Sequence, residues 1–325
     1  MKIFSKQMAE RLAPAADLLI SPLVFLCAVV LGFVRRAGVE RLPRSRSMLI
    51  RAGCFPLRDH YYEPSFDNES LRDLLSKDRP LPGIDWNVAD QLGLLASFAY
   101  SSELAGLPRD SAPGYEYYLE NSSFESGDAE YWYNLIRVKK PKRIIEIGSG
   151  FSTRLARRAI AANVAEDPGY GCQHVLIEPY EHDYLEKLGG DVSVIREKVE
   201  DCDLAIFDDL HEDDILFIDS SHVIRPGGDV VVEYLDILPR LKPGVIVHIH
   251  DIFSPKDYPA EWLVDEVRFW NEQYIVEAFL TSNRDWKIVG ALNFLRHNHL
   301  DQLKEKCPFL TEEREPGSFY IQKVG

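Results

Sequence analysis

The sequence predicts an α/β protein: a mostly parallel sheet with helices on both faces, preceded by an irregular cap and an apolar N-terminal helix. Two observations carry that prediction. From Lys142 onward, short apolar runs alternate with stretches of helical periodicity. Far ahead of them, Leu18 to Val34 reads LLISPLVFLCAVVLGFV, seventeen residues whose only polar side chain is Ser21.

The totals suit such a fold. A chain of 325 residues has room for one large domain and an appendage. Its 46% hydrophobic and 27% charged residues are the mix of a folded protein rather than a disordered one. The net charge of −15 argues against nucleic acid as a partner. That charge is uneven. Residues 1–51 hold nine Lys and Arg against Glu10, Asp17 and Glu40, a balance of +6, and the other 28 basic and 49 acidic residues leave −21. Five scattered cysteines, none spaced C-x-x-C, suit a reducing compartment and offer no disulfide or zinc framework.

The apolar run sits near the lower limit for a spanning helix, about 17–20 residues. Arginines cluster on its C-terminal side, so residues 1–51 are expected to anchor the protein with its body at the cytoplasmic face of the membrane. No A-x-A-like site follows the run, so cleavage as a signal peptide is not expected. Pro22 inside the run predicts a kink or break, which makes a bent, re-entrant or surface-lying anchor a competitor to a simple span. The competing reading is a buried helix docked on the body.

Residues 52–127 read as an aromatic-rich cap. Within DHYYEP, Asp59 to Pro64, the cluster His60-Tyr61-Tyr62 could line an acceptor pocket or pack under a loop. One helix is expected between Val88 and Leu107, with Val88, Leu92, Leu95 and Phe98 on one face and Gly106 and Pro108 as its stop.

The body, residues 128–325, carries the alternation. RIIEIGSG reads as a strand that ends in glycines and opens a helix. HVLIEPY (His174 to Tyr180), DVSVI (Asp191 to Ile195), DILFIDSSH (Asp214 to His222) and VIVHIHDIF (Val245 to Phe253) follow as strands. A helix is expected over Val230 to Leu241, ended by Lys242-Pro243-Gly244. A longer one should carry Leu263, Val267, Trp270, Tyr274 and Ala278 on one face. The late runs WKIVGALNFL and SFYIQKV close the chain.

EIGSG, Glu146 to Gly150, is the most informative segment. An acid lies on the strand, and Gly148 and Gly150 let a ligand approach the backbone before the next helix. Threonine at 153 departs from the G-x-G-x-x-G dinucleotide fingerprint, and no G-K-[ST] follows, so a nucleoside without phosphates fits better. Glu178, at the end of the second strand, falls where an acid accepts hydrogen bonds from both hydroxyls of a ribose.

The successive motifs RIIEIGSGFSTRLA, VLIEP and DILFIDSSH resemble those of class I S-adenosylmethionine-dependent methyltransferases, over roughly residues 128 to 325. The resemblance implies a Rossmann-like seven-stranded sheet with a terminal antiparallel strand, matched in position by SFYIQKV. It also implies a first motif cradling the methionine part of the cofactor at Glu146, Gly148, Ser149 and Gly150, with Glu178 on the ribose. Glu200 or Asp201 would meet the adenine.

The fourth and fifth strand tips carry Asp219-Ser220-Ser221-His222 and His248-Ile249-His250-Asp251. Neighbouring parallel strands place such tips about 4.8 Å apart, where ligands of open α/β sheets bind. Strand alternation points His248 and His250 to the same side. This layout resembles the bacterial metal-dependent sugar O-methyltransferases typified by macrocin O-methyltransferase. On that resemblance Asp219 is a cofactor or metal residue, Asp251 a second metal ligand, and His222 the general base. His250 stands where that group has an acid. Magnesium prefers oxygen ligands, so His250 implies a softer metal, a weaker site or none. His211, in DDLHEDD, reads as a solvated surface residue.

The function expected is therefore S-adenosylmethionine-dependent O-methylation of a hydroxyl on a sugar, glycan or lipid-linked saccharide, with a divalent metal such as Mg as a further cofactor. Two classes compete with it: a metal-independent methyltransferase acting on a small molecule or protein, and a non-catalytic cofactor-binding module of a membrane assembly.

Overall fold

Seven strands form one sheet in the order β3-β2-β1-β4-β5-β7-β6. They are β1 (Arg143–Ile147), β2 (Gln173–Ile177), β3 (Val192–Ile195), β4 (Ile215–Ile218), β5 (Ile246–Ile249), β6 (Trp286–Ala291) and β7 (Phe319–Lys323). Strands β1 to β5 pair in parallel, and β7 inserts antiparallel between β5 and β6. The structure, a computed structural model, describes residues 6–57, 62, 64, 68–75, 77–110, 116–188 and 192–325. Its contacts divide the chain into two units, Met1–Leu71 and Arg72–Gly325. The division falls inside the cap expected over residues 52–127, whose described residues from Arg72 onward belong to the unit that holds the sheet.

In the first unit, α1 (Lys6–Ala37) runs through both Pro14 and Pro22. Pro22 has no N–H for the carbonyl of Leu18, and the Ser21 hydroxyl donates to that oxygen instead (3.4 Å). The expected break is therefore absent. Ala13–Ala37 is 25 residues long and apolar enough to cross a membrane, with its large side chains exposed from Leu18 to Val30 and Val34 buried near its end. A second helix, α2 (Pro43–Ala52), carries Arg44, Arg46 and Arg51. In the cap's His60-Tyr61-Tyr62 cluster, His60 and Tyr61 lie outside the described residues, and Tyr62 is exposed. The short helix α3 (Asn68–Leu75) falls at the division.

In the second unit the central strands are apolar on both faces, as parallel strands covered by helices must be. Ile145, Ile147, Leu216 and Ile218 face one core layer with Tyr234 and Ile237, and Ile144, Ile215 and Phe217 face the other with Trp132, Leu155 and Ala159. That second layer is built by α5 (Asp128–Lys139) and α6 (Phe151–Glu166). α5 is buried over Asp128–Arg137, its Trp132 packing on Phe217 and His248.

Three elements differ from their sequence expectation. The helix α4 (Val88–Ala96) stops at Ser97, whose hydroxyl takes the Leu94 carbonyl (2.6 Å), and Phe98 is buried beyond it. β5 ends at Ile249, and the chain then turns at Asp251 with φ 60°. The long helix after β5 is broken. A π turn (Glu261–Asp265) leads to Val267 at φ 56°, and a helix restarts only at α9 (Glu272–Leu280), preceded by α7 (Asp229–Val232) and α8 (Leu238–Arg240) in chain order. The backbone N–H groups of Asn271 and Glu272 donate to the His222 carbonyl (2.9 and 3.1 Å), so the break aims the start of α9 at the β4 tip.

Candidate active site

The strand order reverses between β1 and β4, and their C-terminal ends form the crevice where open α/β sheets take ligands. After β1 the chain turns at Gly148, with φ 88°. Its N–H donates to the Ile177 carbonyl of β2 (3.1 Å), and a Cβ there would lie 2.2 Å from the backbone oxygen of Asp219. Only glycine lets the β1 loop press this closely on the β4 tip.

A cavity of about 290 Å³ opens beside that turn, lined by Gly148, Glu178, Tyr180, Glu200, Asp219 and Arg225 among others. Of the two acids left open for the adenine end, Glu200 faces this cavity and Asp201 does not. Glu178 is held in place by the Ser149 hydroxyl (2.8 Å), which in turn accepts from the Tyr184 hydroxyl (2.8 Å). Glu146 does not line this cavity. Its carboxylate turns into the core, accepts from Thr153 (2.7 Å) and bonds the His174 ring (2.7 Å), all fully buried. Glu146, Ser149 and Gly150 shape the loop from behind rather than line the cavity. Strand alternation explains this: the side chain at 146 faces the α6 layer, where the first turn of that helix offers hydroxyls.

A larger cavity of about 910 Å³ adjoins the first, and the two share Asp219, Ser220 and Ser221. His222, His250 and Asp251 line the larger one only. His222 has φ 58°, a left-handed conformation that non-glycine residues adopt at a cost of about 1–3 kcal/mol. Its Nδ1 bonds the buried Glu272 carboxylate (2.8 Å), and its Nε2 lies 3.3 Å from Asp219 and 3.6 Å from Asp251. Burial opposes a charge on this ring, but Asp219 and Glu272 outweigh it and raise its pKa well above the usual range. For Asp219, burial is likewise outweighed by the two histidines, which hold its carboxyl far below the usual carboxylate range. Even so, 37% of its side chain faces the open cavity.

His248 in β5 and His250 just past its end separate. His248 is fully buried, stacks on Tyr320 and shares a hydrogen bond with Ser318 (2.8 Å). Burial, aided by His250, pushes its pKa well below the usual value and keeps it neutral. His250 lies in the site. Its Nδ1 has no hydrogen-bond partner and stands 3.8 Å from Asp219 and 3.5 Å from Asp251. Burial opposes its charge, and Asp251, Asp219 and Asp128 together push its pKa up to about 10.

Ligand atoms of Asp219, His222 and Asp251 lie within 4.8 Å of one another, a spacing a metal ion could bridge. His250 was the expected third member of this set; the tighter trio contains His222, with His250 directly behind the same carboxylates. His211 is exposed, as expected.

Four residues that build the candidate site were given no such role in the sequence reading. Glu272 holds His222, and Trp262, Arg268 and Trp270 wall the larger cavity. Asn271-Glu272 is a helix-start pair that could have marked the break ahead of α9. Nothing in the sequence signals the wall, because it exists only where the expected helix fails.

A parallel sheet with an inserted antiparallel strand, a glycine-pinned first loop and an acid at the second strand tip define an S-adenosylmethionine-dependent methyltransferase. Residues 145–252 match the family model described as a methyltransferase domain. A protein of Archaeoglobus fulgidus described as uncharacterized is 31% identical over 164 residues, 47% of this chain and 72% of its own length. The chain belongs to one family with that protein. Among solved structures, it resembles an O-methyltransferase from Bacillus cereus in complex with SAH (13% identity, 79% of this chain and 96% of that one, TM-score 0.37). It also resembles the plantazolicin methyltransferase BpumL with SAH (16%, 61% and 84%, TM-score 0.37) and a structure described as cmcI-D160 Mg-SAM (14%, 80% and 97%, TM-score 0.37).

Proposed function

We propose that this enzyme methylates a hydroxyl of a saccharide acceptor, with His222 as the proton acceptor, at the cytoplasmic face of a membrane. The observation that carries the proposal is the meeting of two cavities at Asp219–Ser221, with the His222 ring on the acceptor side of that junction. S-adenosylmethionine, when bound in the smaller cavity, supplies a methyl group on a good leaving group. The task left to the chain is alignment and proton removal. Glu272 holds Nδ1 of His222, so Nε2 is the nitrogen turned toward the acceptor.

The donor set accommodates a divalent cation: two carboxylates converge, and His250 directs a buried, unpartnered nitrogen at them. Asp219 and Asp251 would hold it with His250 as a third donor, a mixed set that suits a metal softer than magnesium. Such an ion would draw off the negative charge of Asp219 that now keeps His222 protonated, freeing the ring to accept a proton, and would lower the pKa of the acceptor hydroxyl. The saccharide follows the motif resemblance, and the membrane location follows α1 with its arginine flank.

Titration calorimetry with S-adenosylmethionine, followed by a methyl-release assay on hydroxyl-bearing saccharides with and without chelator, tests the reading. Binding with chelator-sensitive transfer to oxygen is expected; binding without transfer to any hydroxyl overturns it. Glu178→Ala should weaken cofactor binding by about 10²- to 10⁴-fold, since two charge-assisted hydrogen bonds to a ribose are worth roughly 1.5–3 kcal/mol each. Unchanged affinity would remove Glu178 from the cofactor site.

A further inference from the structure

We infer that the acceptor taken by the larger cavity is cationic: a hydroxyl-bearing saccharide that also carries a protonated amine. The inference rests on the O-methylation reading and names its substrate class. The floor of the cavity sets His222 and His250 against three carboxylates, Asp128, Asp219 and Asp251, so it holds no excess of positive charge. The rim is not. Glu125, Glu261, Glu266, Glu313 and Glu315 line it against only Arg268 and Arg314.

Both arginines are already engaged. Arg268 bonds Glu266 (2.5 Å), and Arg314 pairs with Glu120 and Glu125. Glu261 has no cationic partner among the described residues. A phosphate or carboxylate on the acceptor would thus enter a negative cleft with no unengaged cation to meet it, whereas an amine would be drawn in.

Two further observations point the same way. The Arg268 guanidinium lies 4.5 Å from the Trp262 ring centre and 4.6 Å from that of Trp270, so this wall already holds a cation against aromatic faces with a carboxylate behind it. On the floor, His250 is 5% exposed and its Nδ1 lacks a hydrogen-bond partner, as expected of a cavity built to receive a polar ligand. The hydroxyl would reach the floor while the amine stays at the acidic rim.

The test uses the full chain in detergent with SAH bound and three disaccharide probes of one skeleton: chitobiose with free amines, its N-acetylated form, and the 6-phosphate of the N-acetylated form. Tryptophan fluorescence reads binding through Trp262 and Trp270. The amine should bind about tenfold more tightly than the neutral probe, the phosphate least, and the amine's lead should shrink as salt rises. Glu261→Gln should cut that lead several-fold. Equal binding of the three, tighter binding of the neutral or phosphorylated probe, or no binding of the amine overturns the inference. Methyl release with mass analysis of the product keeps the two readings apart. Transfer to oxygen of the neutral probe without amine preference sinks only the charge inference, and amine preference without transfer to oxygen sinks only O-methylation.

Discussion

Replacing His222 with alanine lowers methyl transfer by roughly 10²- to 10⁴-fold, the usual worth of a positioned general base. Cofactor affinity should hold nearly constant, because His222 lines the larger cavity and not the smaller one proposed for the cofactor. The same change removes the ring that partners Glu272, which keeps only the Tyr234 hydroxyl (2.9 Å) in a fully buried setting. An uncompensated buried carboxylate is costly, so the variant should also melt earlier. Glu272→Gln separates the two effects, since the amide retains a hydrogen bond to Nδ1 without leaving a bare charge. It should melt near the parent and still lose turnover while KM for the acceptor holds. Turnover by His222→Ala at the parent rate, with cofactor bound, would remove His222 from the chemistry.

The second large effect is at the cofactor loop. Gly148→Ala places a methyl group 2.2 Å from the Asp219 carbonyl oxygen, at a φ of 88° that side chains rarely tolerate. Backbone strain and overpacking each cost about 1–3 kcal/mol, so stability falls by several kcal/mol or the loop lifts off the β4 tip. Either outcome opens the junction of the two cavities, and cofactor affinity should drop by more than about tenfold. Gly150→Ala is the control for stability. Its φ is −179°, ordinary extended backbone, and no atom lies within 4 Å of an added Cβ. Thermal melts and calorimetry on the two variants check the contrast. Equal stability of both would mean that the loop does not press on β4 as described.

Much of the site was legible because its signals are local. EIGSG announces a strand, a turn and a helix start within five residues, and Gly148 is required by its own φ and by the backbone it meets. The acid at the β2 tip and the Asp219 and His222 pair follow from where apolar runs stop. The position of Glu146 has an equally local reason. Its place in the motif suggested contact with the cofactor, but alternation turns it into the α6 layer, where Thr153 and His174 claim it. Likewise, His248 and His250 share a side of the strand, as expected, yet only the residue past the end of β5 reaches the cavity.

By itself the sequence determined the alternating α/β body, the glycine turn, the acidic and histidine-bearing strand tips and the apolar helix with its arginine flank. Periodicity and backbone preference act over a few residues, and a chain writes them in order. Tertiary structure alone decided which groups meet: Glu272 on His222 across 50 residues, Glu200 rather than Asp201 at the cofactor cavity, and a tryptophan–arginine wall made by the break at Val267. These depend on where strands end and helices fail. Packing of distant segments settles such points, and no local pattern records it.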